Sequence, residues 1–359
     1  MSYNFLIYIS YSYALPIGNP LEFEILKRGY AVKWFSDEHE GQQAIINKSN
    51  TLRSIKDVIA YNPTIILAVT NNVPDFINAL KVQVFHGFLT YKRPEKNNKE
   101  AHFRIRGFFD LYCTQGPTTT SGFRDKQKAH PHFEVIETGW SKVDSLFPLK
   151  KNKIKNTILI ASTFTERLSL AYNGSVYSEI KRLSSLGLFN FFMVLHPKIP
   201  ANIKQKWETL NGKHFTYIDT TDIIPLFKEA DIMFADTTSA IQEFLLQQKP
   251  VVTYNHTFKH KYLIDVNNAS DLQNAFNEAF SFPKELLKNI GEFVENLHPY
   301  NDGESSKRII SATIEFLHKD KNYLKKKPLN LIRKFKIRKR LNYFTLKTFN
   351  EAFTVKIDD

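Results

Sequence analysis

The segment Ala230-Asp231-Ile232-Met233-Phe234-Ala235-Asp236-Thr237-Thr238-Ser239-Ala240-Ile241-Gln242-Glu243-Phe244-Leu245 limits the folds open to this chain more than any other. An apolar run ends at Asp236, three hydroxyl residues follow, and a helical pattern begins at once. A strand that passes into a helix through so short a turn is the building unit of α/β sheets. The first turn of such a helix carries unpaired backbone N–H groups at the positive end of its dipole. Thr237, Thr238 and Ser239 set hydroxyl donors beside them, which is how a chain seats a phosphate or diphosphate. Glu243 lies four residues beyond Ser239 on the same helical face, where a carboxylate accepts hydrogen bonds from ribose hydroxyls. An ordinary helix cap with its capping carboxylate uses the same residue types, so both readings stand.

The alternation runs the length of the chain. Residues 5–9, 32–35, 64–69, 82–85, 111–113 and 133–136 read as strands. The 64–69 run is continuously apolar, as a strand buried on both faces requires. Asn19-Pro20 has the form of an N-cap with proline behind it, opening a helix that Gly29 ends, and residues 51–60 form an amphipathic helix. Residues 149–156 are polar, basic and without helical period, the features of a linker. Strands then recur at 158–161, 191–195, 215–218, 232–234 and 251–254, with helices between them and helical segments from 271 to about 318. The expectation is an α/β protein of two doubly wound, Rossmann-like domains facing a cleft. They would cover residues 1–148 and 157–318, joined by the 149–156 linker and followed by a basic tail, 319–359. Ligands of such sheets bind beyond the carboxyl ends of strands, where His86, His196 and Asp236 all stand.

Composition narrows the classes further. No apolar run approaches the roughly 18–20 residues of a membrane span. Phe5-Leu6-Ile7-Tyr8-Ile9 has no basic residue before it and no clear cleavage site, so it reads as a buried strand and not a signal peptide. The single cysteine, Cys113, has no intramolecular partner and reads as strand core. Of the formal net charge of +13, residues 319–340 supply ten, from eleven Lys or Arg and the one acid Asp320. Such a tail suits anionic lipid, nucleic acid or another polyanion. Within it Leu331, Ile332 and Phe335 share one helical face, while Ile337, Leu341 and Phe344 fall on the other. That is the pattern of a helix lying loosely on something, or of one with a break.

Several short constellations carry chemistry. His86-Gly87 follows an apolar strand and offers a proton acceptor beside a backbone that permits close approach. His196 is fixed by Pro197 and is placed to bind a phosphate oxygen or donate a proton. Strand-to-helix turns at Gly139 to Lys142 and at Thr163 to Arg167 offer further nucleotide contacts, as does the helix start at Asp302-Gly303. Each is equally readable as a cap or turn. Dinucleotide, P-loop, zinc and nucleophile-elbow patterns are absent from the sequence.

Taken in order, these segments resemble the CDP-glycerol glycerophosphotransferase family, which builds or decorates teichoic-acid-like and capsular polymers on a glycosyltransferase-B fold. The resemblance rests on His86-Gly87, on Gly139 to Asp144-Ser145-Leu146, on Ala161-Ser162-Thr163-Phe164, and on Leu195-His196-Pro197. It continues through Ala235 to Ser239 with Glu243-Phe244, Lys249-Pro250-Val251, and Asp302-Gly303-Glu304-Ser305-Ser306. It spans roughly residues 82–314. Four departures stand out: Phe88-Leu89-Thr90-Tyr91-Lys92 after His86-Gly87, Ser162 for proline, Thr238 for serine and Glu243 for aspartate. The resemblance implies attack of an acceptor hydroxyl on the β-phosphorus of CDP-glycerol or a related CDP-alcohol, with release of CMP. It implies His86 as general base, with His196 and residues 237–239 on the diphosphate and Glu243 on the ribose. It implies no cofactor and no obligatory metal. Asp236, Thr163, Gly87, Gly139, Lys142, Arg167, Asp302 and Gly303 are further candidate contacts. The acceptor would be a saccharide or lipid-linked hydroxyl at the inner face of the cell membrane, met by the basic tail.

Two other readings remain. A nucleotide-sugar glycosyltransferase, or a relative of UDP-GlcNAc 2-epimerases, needs little change in this fold. The Gly-Thr-Arg-Pro-Glu segment of epimerases is missing. A non-catalytic polyanion- or membrane-binding protein would use the tail, where Tyr323, Phe335 and Tyr343 are placed to stack on bases. The near-neutral body, which lacks a nucleic-acid-binding motif, argues against nucleic acid.

Overall fold

The structure is a computed structural model in which residues 3–88, 102–149 and 153–355 are described. Leu89 to Lys92 and residues 150–152 of the expected linker lie outside the described residues. The chain divides into two compact units. The first comprises the described parts of Met1–Gly87, Lys99–Asp144 and Leu297–Asp359; the second comprises Phe88 and Ser145–Asn296.

The first unit begins with β1 (Asn4–Ile9), α1 (Leu15–Lys27), β2 (Ala31–Ser36), α2 (His39–Ala44), α3 (Ile55–Tyr61) and β3 (Ile65–Ala68). It continues with β4 (Leu80–Gln83), β5 (Leu111–Thr114), α4 (Pro117–Ala129) and β6 (Glu134–Glu137). The strands form one parallel sheet in the order β2-β1-β3-β4-β5-β6. β3 is buried at every residue, as its unbroken apolar run requires. α1 opens at Leu15, earlier than Asn19-Pro20 suggested, with Pro16 in its first turn and Pro20 inside the helix. Gly18 sits where this helix meets Trp34 and Ile7 of the sheet. A side chain there would strike Trp34 at 2.2 Å, so only glycine lets this helix lie directly on the sheet.

The second unit holds β7 (Thr157–Ser162), α5 (Gly174–Leu186), β8 (Asn190–Leu195), α6 (Ala201–Glu208), β9 (Phe215–Tyr217), α7 (Ile224–Glu229) and β10 (Ile232–Ala235). After these come α8 (Ala240–Leu245), β11 (Val251–Tyr254), β12 (Ile264–Val266), α9 (Leu272–Phe280) and α10 (Lys284–Leu297). Its strands are also all parallel, in the order β12-β11-β10-β7-β8-β9. The apolar residues of β7, β8, β10 and β11 join Trp207, Phe215 and Phe276 in one core.

The C-terminal organisation differs from the expected division at residue 318. α11 (Ser305–His318) and α12 (Leu331–Arg340) belong to the first unit. Asp144 holds α11 there. Its carboxylate accepts the N–H groups of Ser305 and Ser306 at 2.8 and 2.7 Å, and the Ser306 hydroxyl at 2.6 Å. A carboxylate from elsewhere in the chain thus caps the positive end of the helix. Gly139, at φ +81°, lies so close to Ser305 that a Cβ would meet its Oγ at 2.4 Å.

The tail is likewise tied down by charge. Arg338 donates to both carboxylate oxygens of Asp75 at 2.7 and 3.1 Å, and Lys334 approaches the same group at 3.6 Å. Lys327 pairs with Asp110 at 2.5 Å, and Arg340 with Asp37 at 2.8 Å and Glu38 at 3.0 Å. Asp75, Asp110, Lys327, Lys334 and Arg338 are all buried. Lys327, Lys334, Arg338 and Arg340, four of the eleven cations in residues 319–340, are therefore held in ion pairs with distant acids. Charge counting along the chain misses this because the acids lie far away in sequence.

Removing one partner of a buried ion pair leaves an uncompensated charge. Asp75→Ala is expected to lower unfolding stability by about 3–5 kcal/mol. Lys326→Ala, at the exposed pair with Glu351, should change it by about 0–1 kcal/mol. Equilibrium denaturation checks both.

Candidate active site

In the second unit the chain runs outward from β7 through β8 to β9, then returns to lay β10 on the other side of β7. The strand order reverses there, and ligands of doubly wound sheets bind at the carboxyl ends beside such a switch point. Ala235 pairs with Ala161 in register, so Asp236 and Ser162 leave the sheet side by side.

Asp236 is fully buried, and its carboxylate is surrounded by donors. It accepts the Ser162 hydroxyl, the Thr163 N–H at 2.9 and 3.1 Å, and the Leu170 N–H at 3.0 Å. Ser162 Oγ also lies 2.7 Å from Ser169 Oγ. One carboxylate thus ties the end of β10 to the whole loop leaving β7. The Asp236 carboxylate and the Thr163 backbone N–H are thereby engaged with each other inside this junction. Ser162, which departs from the proline of the resembled motif, supplies a hydroxyl that proline lacks.

The hydroxyl cluster divides in two. Thr237 is buried and faces the loop after β11: its Oγ1 accepts the Thr257 N–H at 3.1 Å and lies 2.9 Å from Thr257 Oγ1. Thr238 and Ser239 remain partly accessible. Thr238 donates its N–H to the Asp236 carbonyl at 2.9 Å. Ser239 precedes α8 but makes no side-chain cap, so an ordinary serine cap does not account for it. Glu243 is buried within α8.

His196 follows Leu195, which pairs with Ser162 across β7 and β8. Its Nδ1 accepts the Lys198 N–H at 3.1 Å. With Nδ1 an acceptor, the proton of a neutral ring sits on Nε2. The Phe164 ring lies 4.6 Å from the imidazole, and Lys198 sits 5.4 Å from the Phe164 ring. Arg167 is exposed on the same loop as Phe164.

In the first unit, His86 stands beyond β4. Phe85 before it adopts φ +55°, a left-handed conformation that costs a bulky residue about 1–3 kcal/mol. Its ring packs 5.1 Å from Phe123, and its carbonyl accepts Trp140 Nε1–H at 3.3 Å. These contacts hold the strained turn that leaves His86 accessible, 5.9 Å from the Tyr13 ring. The atoms crowded around the imidazole still lower its pKa below 6.5, chiefly through lost hydration, with the charges of Arg106 and His102 adding to this. A Cβ on Gly87 would meet nothing among the described residues within 4 Å, so the backbone beside His86 is open.

Asp302 and Gly303 have another use. Asp302 pairs with Arg308 at 2.6 Å, Gly303 turns at φ +73°, and Arg308 donates to the Thr138 carbonyl at 2.8 Å. Together with Gly139 and Asp144 they form the clasp that docks α11. Lys142 extends toward Trp140, at 5.4 Å from its ring. The sequence reading missed Ser162, Leu170, Thr257 and Tyr13. Only Ser162 had left a signal, as a departure from a motif.

Residues 28–315 match the family described as CDP-glycerol:poly(glycerophosphate) glycerophosphotransferase. The chain belongs to this family. It is a CDP-glycerol glycerophosphotransferase-like enzyme. No curated protein matches the chain. Among solved structures, the wall teichoic acid polymerase TagF is 11% identical, with a TM-score of 0.61 over 86% of this chain and 88% of that one. UDP-GlcNAc 2-epimerase from Neisseria meningitidis bound to UDP-GlcNAc is 15% identical, with a TM-score of 0.56 over 87% and 99%. The S. aureus MnaA–UDP structure is 13% identical, with a TM-score of 0.59 over 91% and 99%. At these identities the likeness is one of fold, a glycosyltransferase-B-like pair of parallel sheets.

Asp236→Ala strands several buried donors at about 1–3 kcal/mol each. It should destabilise the protein by several kcal/mol, whereas Ser239→Ala should shift the denaturation midpoint little.

Proposed function

We propose that this enzyme moves glycerol phosphate, or a related polyol phosphate, from a CDP-linked donor to a hydroxyl of a cell-surface polysaccharide or lipid-linked acceptor. The family match over residues 28–315 carries this reading. The acceptor oxygen attacks the β-phosphorus and gives its proton to His86. The bond from the β-phosphorus to the bridging oxygen breaks, and CMP leaves with that electron pair. The lowered pKa of His86 supports its role, because a base must be unprotonated at the working pH.

The second unit would hold the donor. Thr238 and Ser239 offer accessible hydroxyls, and the Nε2–H of His196 offers a third donor for diphosphate oxygens. Glu243 accepts from the ribose in this reading. Solved TagF structures include two single-histidine variants, one of them soaked with CDPG. In this reading the acceptor lies at the cytoplasmic face of an anionic membrane, and the C-terminal segment meets that surface. Among the described residues no helix is long and apolar enough to cross a membrane.

Donors carrying UDP-sugars are the second reading, favoured by the fold shared with the two UDP-ligand structures. Incubation with CDP-glycerol, CDP-ribitol and UDP-sugars decides between them by the nucleotide released. CMP should form from a CDP-alcohol, and release of UDP alone would overturn the proposal. His86→Ala should reduce kcat by about 10²–10⁴-fold. With the base lost on protonation, kcat/KM should hold steady down to pH 6.5 and fall below it, following the lowered His86 pKa. A profile that rises toward acid would exclude His86 as the base.

A further inference from the structure

α12 is built inside out. Winding at 3.6 residues per turn puts Leu331, Ile332, Phe335, Lys336 and Lys339 on one side and Lys334, Ile337 and Arg338 on the other. The side facing the protein is mixed: Ile337 joins the apolar core, and Lys334 and Arg338 are buried beside it on Asp75. The apolar side faces out, with Leu331 69%, Ile332 74% and Phe335 57% exposed. The following turn extends this face. Phe344, 63% exposed, brings its ring to 6.2 Å from Phe335, and Leu346 is completely exposed. Folded helices place such residues the other way round.

The ion pairs with Asp75 fix this orientation. The segment after α12 returns along it, where Arg338 donates to the Thr345 and Lys347 carbonyls at 3.0 and 2.8 Å and Lys334 to Thr348 Oγ1 at 2.7 Å. The apolar side chains are thus held outward on a braced support. Lys336, Lys339 and Lys347 are exposed around them. An apolar strip edged by lysines matches an anionic bilayer: acyl chains take the strip and phosphate headgroups the ammonium groups.

We infer that the outward face of α12 and the turn after it insert into an anionic membrane surface, through Leu331, Ile332, Phe335, Phe344 and Leu346. This rests on the proposed membrane-borne acceptor and changes its physical basis. Apolar insertion holds the protein, while four of the tail's cations are engaged in pairs with distant acids.

Vesicles of equal parts phosphatidylglycerol and phosphatidylcholine test this on the full chain. The wild type should co-sediment with them and bind pure phosphatidylcholine more weakly. Leu331→Ser/Ile332→Ser/Phe335→Ser should lose roughly tenfold or more in binding, with unchanged melting and unchanged nucleotide release on a soluble acceptor. Phe335→Trp should shift its fluorescence to the blue on vesicles and be quenched by brominated lipid. Undiminished vesicle binding by the triple variant would overturn the inference, as would unshifted emission from the introduced indole in a Phe335→Trp protein that still binds. Wild-type self-association that the triple variant abolishes, without vesicle binding by either, would assign the face to a second copy and also overturn it. Nucleotide release is read separately, so these failures leave the transferase reading intact.

Discussion

The second sheet depends on a buried carboxylate at its switch point. Asp236 gathers the Ser162 hydroxyl and the Thr163 and Leu170 N–H groups onto two oxygens. Without it, the loops leaving β7 and β10 would have unpaired donors and no reason to run together. Its position also decides what the neighbouring residues are free to do. Thr237 turns inward to Thr257, and Thr238 and Ser239 are left accessible at the helix start. His196 leaves the adjacent strand one residue beyond the partner of Ser162. The candidate donor seat is thus the outer surface of a satisfied polar knot, which is how a site is made rigid without using its own ligating groups.

Charge plays a corresponding part in the first unit. Asp144 caps α11, while Asp75, Asp110 and Asp37 draw in the cations of the C-terminal segment. Buried pairs of this kind contribute little net stability against well-packed apolar groups, but they fix orientation. Here they fix the unusual outward presentation of an apolar helical face. The strained Phe85 turn follows the same logic on a smaller scale, since aromatic packing holds a costly backbone that sets His86 in place.

Much of this was legible in the sequence. The two parallel sheets follow from unbroken apolar runs such as Ile65–Ala68 and Thr157–Ser162, which suit strands buried on both faces. The strand ends bearing His86, His196 and Asp236 were placed for the same reason. What escaped was every feature set by long-range pairing. The internal partners of Asp236 were not legible, because they lie 66 to 74 residues away. Asp302 and Gly303 read equally as candidate ligand contacts or a helix cap, because Arg308 and the Asp144 clasp are recognisable as their neighbours only once α11 is docked. The tail's net charge was visible, but the pairing of Arg338 with Asp75 across 263 residues was not.

The knot around Asp236 makes a direct claim about donor binding. Calorimetric titration of CDP-glycerol into wild type and Asp236→Asn tests it, because the amide keeps the shape but loses the charge that gathers the donors. Affinity should fall by about tenfold or more in a protein that remains folded, since a displaced seat loses charge-assisted contacts. Equal affinity in the two proteins would contradict the assignment of the donor seat to this strand end.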